Sequence, residues 1–154
     1  MTSPLQLCIR RTPSPGTTAL GTRVQLKMPS EIACIEQAVS LVTRHCLSGS
    51  AASDHLRFRL QVALAEALAN AVMRGNEEDP AKFVQVDAEL FADHFRVQVT
   101  DEGIGFDPAQ IPEPVHPEQI AEACGRGLFL IRKLVDDVQF NEQGNSICMT
   151  LRRR

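Results

Sequence analysis

Apolar and polar positions change their period along this chain, and the changes mark its elements. RVQLKM, 23–28, alternates with the period of two expected of a strand that has one face inward. The same period runs over 82–90 and 94–100. Only Phe91-Ala92-Asp93 separates these runs, so they predict a hairpin. It returns over about 138–141 and 145–151, around the turn Glu142-Gln143-Gly144. Elsewhere the apolar spacing is three or four. Ile32, Ile35, Ala38, Val39 and Val42 predict a helix from about Glu31 to Cys46, with Ser30 as its N-cap. Leu60, Ala63, Leu64, Ala67, Leu68 and Ala71 predict a longer helix, about 54–74, capped by Ser53 and stopped near Gly75. Leu128, Ile131, Leu134 and Val135 predict a third, from Gly125 to Asp136.

The remaining stretches read as connections. TPSPGTT has the composition of a loop, and LQLCI before it could add a short strand. Residues 1–22 are therefore expected to be an N-terminal extension, flexible or a short extra strand, and 23–154 the domain proper. Pro108, Pro112, Pro114 and Pro117 exclude one helix over 107–123, though Pro117 to Ala123 could form a short one. The order is strand, helix, helix, hairpin, loop, helix, hairpin. That order predicts an α+β two-layer sandwich with a mixed, mostly antiparallel sheet and helices on one face. A Rossmann fold would alternate strand and helix throughout.

Composition narrows the classes. At 154 residues, one domain with a core of its own is expected. With 44% hydrophobic residues, 23% charged, and neither Trp nor Tyr, that core is aliphatic with some Phe. A net charge of −3 calls for no direct nucleic-acid or acidic-membrane partner. Arg152-Arg153-Arg154 reads as a solvated tail. The five cysteines are odd in number, scattered and without a CxxC pair, which argues against zinc and suits a reducing cytosol. Cys34, Cys46 and Cys148 sit among apolar neighbours, as packed small hydrophobes would. No apolar run reaches the roughly 20 residues of a membrane span, and the N-terminus lacks a signal-peptide core. A cytoplasmic protein is expected.

Three constellations carry candidate chemistry. Glu66 and Asn70 stand four apart in an Ala/Leu-rich helix and so share a face, with Arg74 one turn further. An amide oxygen suits a hard cation such as Mg²⁺, and a carboxylate beside it can take a proton. Alone, the pair could equally be the solvated stripe of an amphipathic helix. Asp101-Glu102-Gly103-Ile104-Gly105 follows a strand. Its glycines permit close backbone approach, and Asp101 could accept from an exocyclic amine. A plain Gly-rich turn would look the same. Gly125-Arg126-Gly127-Leu128 opens a helix, where free N–H groups suit phosphate oxygens and Arg126 could add a charge. It also fits a mere helix start, and it is not a Walker A loop. His45, His55, His94 and His116 lack ligand spacing.

In this order the three together resemble the GHKL ATP-binding superfamily, the group of DNA gyrase, Hsp90, histidine kinases and MutL. Glu66 to Asn70 matches its N box, Asp101 to Gly105 its first glycine box, and Gly125 to Leu128 its second. The resemblance runs from about Arg23 to Leu151, with a loop between Gly105 and Gly125 fit to be an ATP lid. Within the group, ALANAVMRGN and GRGLFLIRKLVDDVQF look most like anti-sigma factor serine/threonine kinases.

That resemblance implies an enzyme that uses ATP and Mg²⁺ to phosphorylate a STAS-type anti-anti-sigma protein, binds a sigma factor and forms a homodimer. It implies Glu66 as general base and Asn70 as Mg²⁺ ligand. It implies Asp101 at adenine, Gly103 and Gly105 shaping the pocket, and Gly125, Arg126, Gly127 and Leu128 over the phosphates. Arg74 either faces phosphate or is exposed. Where the family often carries a Thr near adenine, this chain has Gly144-Asn145-Ser146, and Ser146 is the candidate substitute. Phe129 and Leu130 stand where fuller histidine-kinase forms continue with a second Gly-x-Gly, a departure that fits the anti-sigma group.

Two other readings compete with the kinase. One is a nucleotide-gated binding module that transfers nothing; the presence of Glu66 weighs against it. The other is a histidine-kinase catalytic domain acting in trans on a separate chain. A gyrase-like or MutL-like ATPase fits least, since no transducer domain is expected after Leu151.

Overall fold

The computed structural model describes residues 5–13, 20–47, 53–105 and 123–153. Strand β1 (Gln6–Pro13) pairs with β2 (Leu20–Pro29), and a 3₁₀ turn (Ile32–Cys34) leads into helix α1 (Ile35–Cys46). Helix α2 (Asp54–Asn70) follows and ends in a π-helical turn (Ala71–Gly75). Then come β3 (Phe83–Leu90), β4 (His94–Thr100), α3 (Ala123–Leu134), β5 (Asp137–Phe140) and β6 (Ser146–Arg152). The six strands form one sheet in the order β1-β2-β3-β4-β6-β5, and every described pairing is antiparallel. The α+β sandwich read from the sequence is the fold observed.

Strand alternation decides which face is covered. Val24, Leu26 and Met28 of β2 lie in register with Ala88, Val86 and Val84 of β3, and all six are buried. Phe95, Val97 and Val99 of β4 and Ile147, Met149 and Leu151 of β6 continue that face. The other face carries Arg23, Gln25, Asp87, Arg96 and Gln98. Cys148 lies there too, half-buried opposite Gln98, whereas Cys46 is a core residue. Alternation puts Cys148 on the polar face, and its apolar neighbours in sequence point the other way.

Helix α2 packs between α1 and α3 and presents Leu56, Leu60, Ala63, Leu64, Ala67 and Leu68 to the core. Burying an aliphatic side chain favours folding by about 1.5–3 kcal/mol, so this stripe fixes the helix's rotation and with it the direction of its polar side chains. Ser53 accepts from the Leu56 N–H at 3.1 Å, the expected cap. Arg59 is buried: it donates to the Leu134 carbonyl at the end of α3 at 2.7 Å and to Asp136 at 2.8 Å. A cation there satisfies a terminal carbonyl and complements the helix dipole, which ties α3 to α2.

Four expectations need correction. Ser30 is not an N-cap: its buried hydroxyl donates to the Lys82 carbonyl and accepts from Asn76, so it ties the end of β2 to the start of β3. The long helix stops being α-helical at Asn70, and the Asn76 N–H bonds the Ala71 carbonyl five residues back. Helix α3 begins at Ala123, two residues ahead of the expected start at Gly125, so Gly125 and Arg126 lie within its first turn. The basic end is not all solvated tail: Arg152 belongs to β6, and Arg153 donates to the Phe91 and Ala92 carbonyls of the β3–β4 hairpin.

Candidate functional site

Glu66, Asn70 and Arg74 project from α2 and its π-turn on the side left free by the core stripe. Asn70 and Arg74 border a cavity of about 310 Å³, within the usual size range of a small-molecule site. Ala67 and Ala71 complete its floor, the loop from Asp101 to Gly105 forms one wall, and Leu128, Phe140 and the segment Gly144–Ile147 form the other. The cavity is thus largely apolar, with a few polar groups directed at it. Glu66 borders a different space, the groove between α1 and α2 that is also lined by Ile35, Val39 and Thr43.

Gly127 joins the two. A Cβ there would stand 3.0 Å from Asn70 Nδ2 and 3.2 Å from Glu66 Oε2, so α3 closes onto both side chains only because position 127 has none. The second glycine box therefore meets the N box directly. Gly125 and Arg126 lie in the first turn of α3, where backbone N–H groups lack helical partners. The Arg126 side chain and the expected lid, 106–122, lie outside the described residues, as does the short helix expected from Pro117.

The Asp101 loop rests on the π-turn by the same device. A Cβ on Gly75 would fall inside the Asp101 carboxylate, and one on Gly103 would fall inside the Gly75 carbonyl. Asp101 Oδ1 accepts from the Gly103 N–H at 2.8 Å, and the Asp101 N–H donates to the Asn145 carbonyl at 2.9 Å. Gly105 adopts φ +79° against the Gln143 carbonyl, a conformation and a closeness that a side chain would forbid. Burial pushes the Asp101 carboxyl above its ordinary value, opposed by the Gly103 N–H and the Lys82 charge. A half-buried carboxylate facing an apolar cavity has lost solvent and has acceptor capacity left for a ligand's N–H.

Ser146 borders the cavity too, but its hydroxyl already meets Gln98 Nε2 at 2.9 Å and Thr100 Oγ1 at 2.8 Å. These contacts hold it to the sheet and leave one further position on the hydroxyl, a lone pair or the O–H according to which of Ser146 and Thr100 donates to the other.

ATP and Mg²⁺ fit these residues. A flat base bearing an amino group suits the slot whose glycines bring Asp101 to an apolar wall. Among the described residues no three His, Cys, Asp or Glu side chains gather as a metal cage. Asn70 offers an amide oxygen, which suits Mg²⁺, an ion that takes few protein ligands and completes its shell with water and phosphate.

Sequence reasoning missed Gly75 as a point of contact and Asn76 as more than a polar turn residue. It also missed Phe140 and Ile147 as cavity walls. Gly75-Asn76 gave little local signal, because Asp101 and Gly103 beside Gly75, and Glu102 and Ser30 bonded to Asn76, lie 26 or more positions away.

Residues 28–151 match the histidine kinase-like ATPase domain family. The chain is 29% identical over 139 residues to the serine-protein kinase RsbW of Listeria innocua, covering 83% of this chain and 85% of that protein. It is 36% identical over 90 residues to the RsbW of Oceanobacillus iheyensis, covering 54% of this chain and 57% of that protein. With the RsbW of Bacillus cereus it shares 31% identity over 98 residues, 59% of this chain and 61% of that protein.

Proposed function

The chain belongs to the histidine kinase-like ATPase domain family, and from that premise we propose that it is an ATP-dependent anti-sigma factor serine/threonine kinase. In this reading it phosphorylates a STAS-type anti-anti-sigma protein and binds a sigma factor, as a cytoplasmic homodimer. The similarity to serine-protein kinases supports the kinase class. No helix among the described residues is long and apolar enough to cross a membrane.

One observation carries the reading: Asn70 borders the cavity, Glu66 borders the adjoining groove, and Gly127 lets α3 close onto both. A domain that only bound nucleotide would need the first and not the second. Asn70 would hold Mg²⁺, which would supply neutralisation of phosphate charge. Asp101 accepts from the adenine amino group, with Gly103 and Gly105 shaping that end. Gly125 and Arg126 offer backbone N–H groups, and Gly127 and Leu128 close the phosphate end. Arg74 and Ser146 line the space between.

Glu66 acts from the groove side. It takes the proton of the acceptor serine or threonine as that oxygen bonds to the terminal phosphorus. The bond from that phosphorus to its bridging oxygen breaks, and ADP leaves with the electron pair. Phosphoryl transfer asks mainly for positioning and charge neutralisation, which a base, one metal and N–H donors supply.

A lysate of the source organism, incubated with the protein, ATP-γ-S and Mg²⁺ and read by phosphosite mass spectrometry, tests this. Thiophosphate on a serine or threonine of a STAS-type protein supports it. Captured partners without thiophosphate would make the chain a nucleotide-gated binding module.

A further inference from the structure

Asn76 has no exposed surface, yet it stands just past the π-turn at a bend in the chain. Both polar atoms of its side chain are partnered. Nδ2 donates to Ser30 Oγ at 2.8 Å and to the Phe83 carbonyl at 3.0 Å, and Oδ1 accepts from the Glu102 N–H at 2.8 Å. Glu102 returns the connection, its carboxylate accepting from the Phe83 N–H. Three residues from separate segments thus close a ring: Asn76 to Phe83, Phe83 to Glu102, Glu102 to Asn76. Within it the backbone of Phe83 is held at both its N–H and its C=O. Ser30 anchors the ring to the end of β2, and its own hydroxyl donates to Lys82.

The place of this ring gives it a consequence. Gly75 and Asp101 are the chain neighbours of Asn76 and Glu102, and the Asp101 carboxylate lies against Gly75. The ring, in which Asn76 holds the Glu102 N–H and the Glu102 carboxylate holds the Phe83 N–H, therefore sets how far the Asp101 loop stands from the π-turn. A hydrogen bond to a buried amide holds such a spacing closely, because leaving the Asn76 oxygen unpaired is costly. The Glu77 and Glu78 backbones, at φ 52° and 55°, take the left-handed conformation that lets the chain turn away directly after Asn76.

We propose that Asn76 and Glu102 are positioning residues for base recognition: with the Phe83 backbone they form a clasp that holds Asp101 at the distance from which it reads the amino group of a purine. This rests on the proposed nucleotide site and adds to it the device that sets its base selectivity. Asn76 and Glu102 act through Asp101 and touch no part of the ligand themselves.

The test is a cycle between protein and ligand, read by calorimetric titration with Mg²⁺ present. ADP and purine riboside diphosphate differ only in the 6-amino group. Wild-type protein is expected to prefer ADP by about tenfold, the worth of one hydrogen bond to a charged acceptor. In Asn76→Ala and Glu102→Ala that preference falls below about threefold, while affinity for the amino-free ligand stays within about twofold of wild type. Glu102→Gln, which keeps an oxygen for the Phe83 N–H, restores the preference.

Glu102 is exposed, so its variants remain folded and decide the matter even if Asn76→Ala does not fold. A tenfold preference that persists in folded Glu102→Ala overturns the clasp. A uniform loss of affinity for both ligands overturns it too, since that is what general loosening would produce. If wild-type protein binds neither ligand, the proposed nucleotide site itself fails.

Discussion

Glu66 and Asn70 stand one turn apart on α2 but border different spaces, and the absent side chain of Gly127 lets α3 close onto both. Phosphate and acceptor would therefore approach this helix from opposite sides of a single glycine. The roles proposed for Glu66 and Asn70 can be tested separately.

Asn70→Ala is expected to remove Mg²⁺-dependent nucleotide binding while the fold stays intact. Asn70 is half-buried and has no hydrogen bond to another element among those described, so its loss should cost little stability. Titration of ADP with and without Mg²⁺ checks this. Wild type should bind at least tenfold more weakly when Mg²⁺ is chelated, and the variant should be indifferent to chelation.

Gly127→Ala should separate stability from activity. Alanine is favoured over glycine inside a helix by about 1 kcal/mol. The new methyl meets the ends of two side chains that can swing away, so thermal stability is expected to stay level or rise. Asn70 and Glu66 must then move, and phosphotransfer should fall by about tenfold or more. A Tm at or above wild type alongside reduced turnover is the signature, read by a melting curve and a kinase assay on one preparation.

Asp101 gives a pH dependence. Burial raises its carboxyl pKa, so it takes up a proton at a higher pH than an exposed aspartate. The ionised form is the better acceptor for an amino group. Affinity for ADP should therefore decline as pH falls, starting above the ordinary aspartate range. For stability the sign is reversed: a carboxylate whose folded pKa is raised opposes folding above that pKa. Asp101→Asn should thus melt at or above wild type at neutral pH, bind ADP about tenfold more weakly, and lose the pH dependence.

Arg59 tests how α3 is held. Arg59→Leu leaves Asp136 and the Leu134 carbonyl without their buried cation, at a cost of about 3 kcal/mol. Denaturant unfolding measures it. If stability changes by less than about 1 kcal/mol, the pair contributes only as a surface contact would.

What the sequence revealed follows from how local each signal is. Alternation in β3 and β4 and the three-four spacing of α1 and α2 are local, and those elements stand within a few residues of expectation. Ser53 could be read as a cap because its partner Leu56 is three residues away. Ser30 had the same local appearance, but its partners Lys82 and Asn76 lie 52 and 46 residues off, and tertiary bonding decided its role. The π-turn was hidden for a related reason. Helix propensity continues through Ala71-Val72-Met73-Arg74, and the turn of changed pitch ends at Gly75, whose close neighbour Asp101 lies 26 residues on. The polar stripe of α2 was legible as chemistry only beside the two glycine boxes. That Glu66 would face a separate groove from Asn70 could not be read, since it depends on α1 and α3 flanking the same helix.

The most direct test of the account uses purified protein, ATP labelled in its terminal phosphate, Mg²⁺ and a purified STAS-type protein from the same genome, with Glu66→Gln in parallel. Both proteins should bind Mg²⁺-ADP with equal affinity. Wild type should move label to a serine or threonine of the acceptor, and Glu66→Gln should do so at least a hundredfold more slowly, the usual contribution of a general base. Equal labelling by the two would contradict the role of Glu66. Tight nucleotide binding by wild type with no label moved would contradict the kinase.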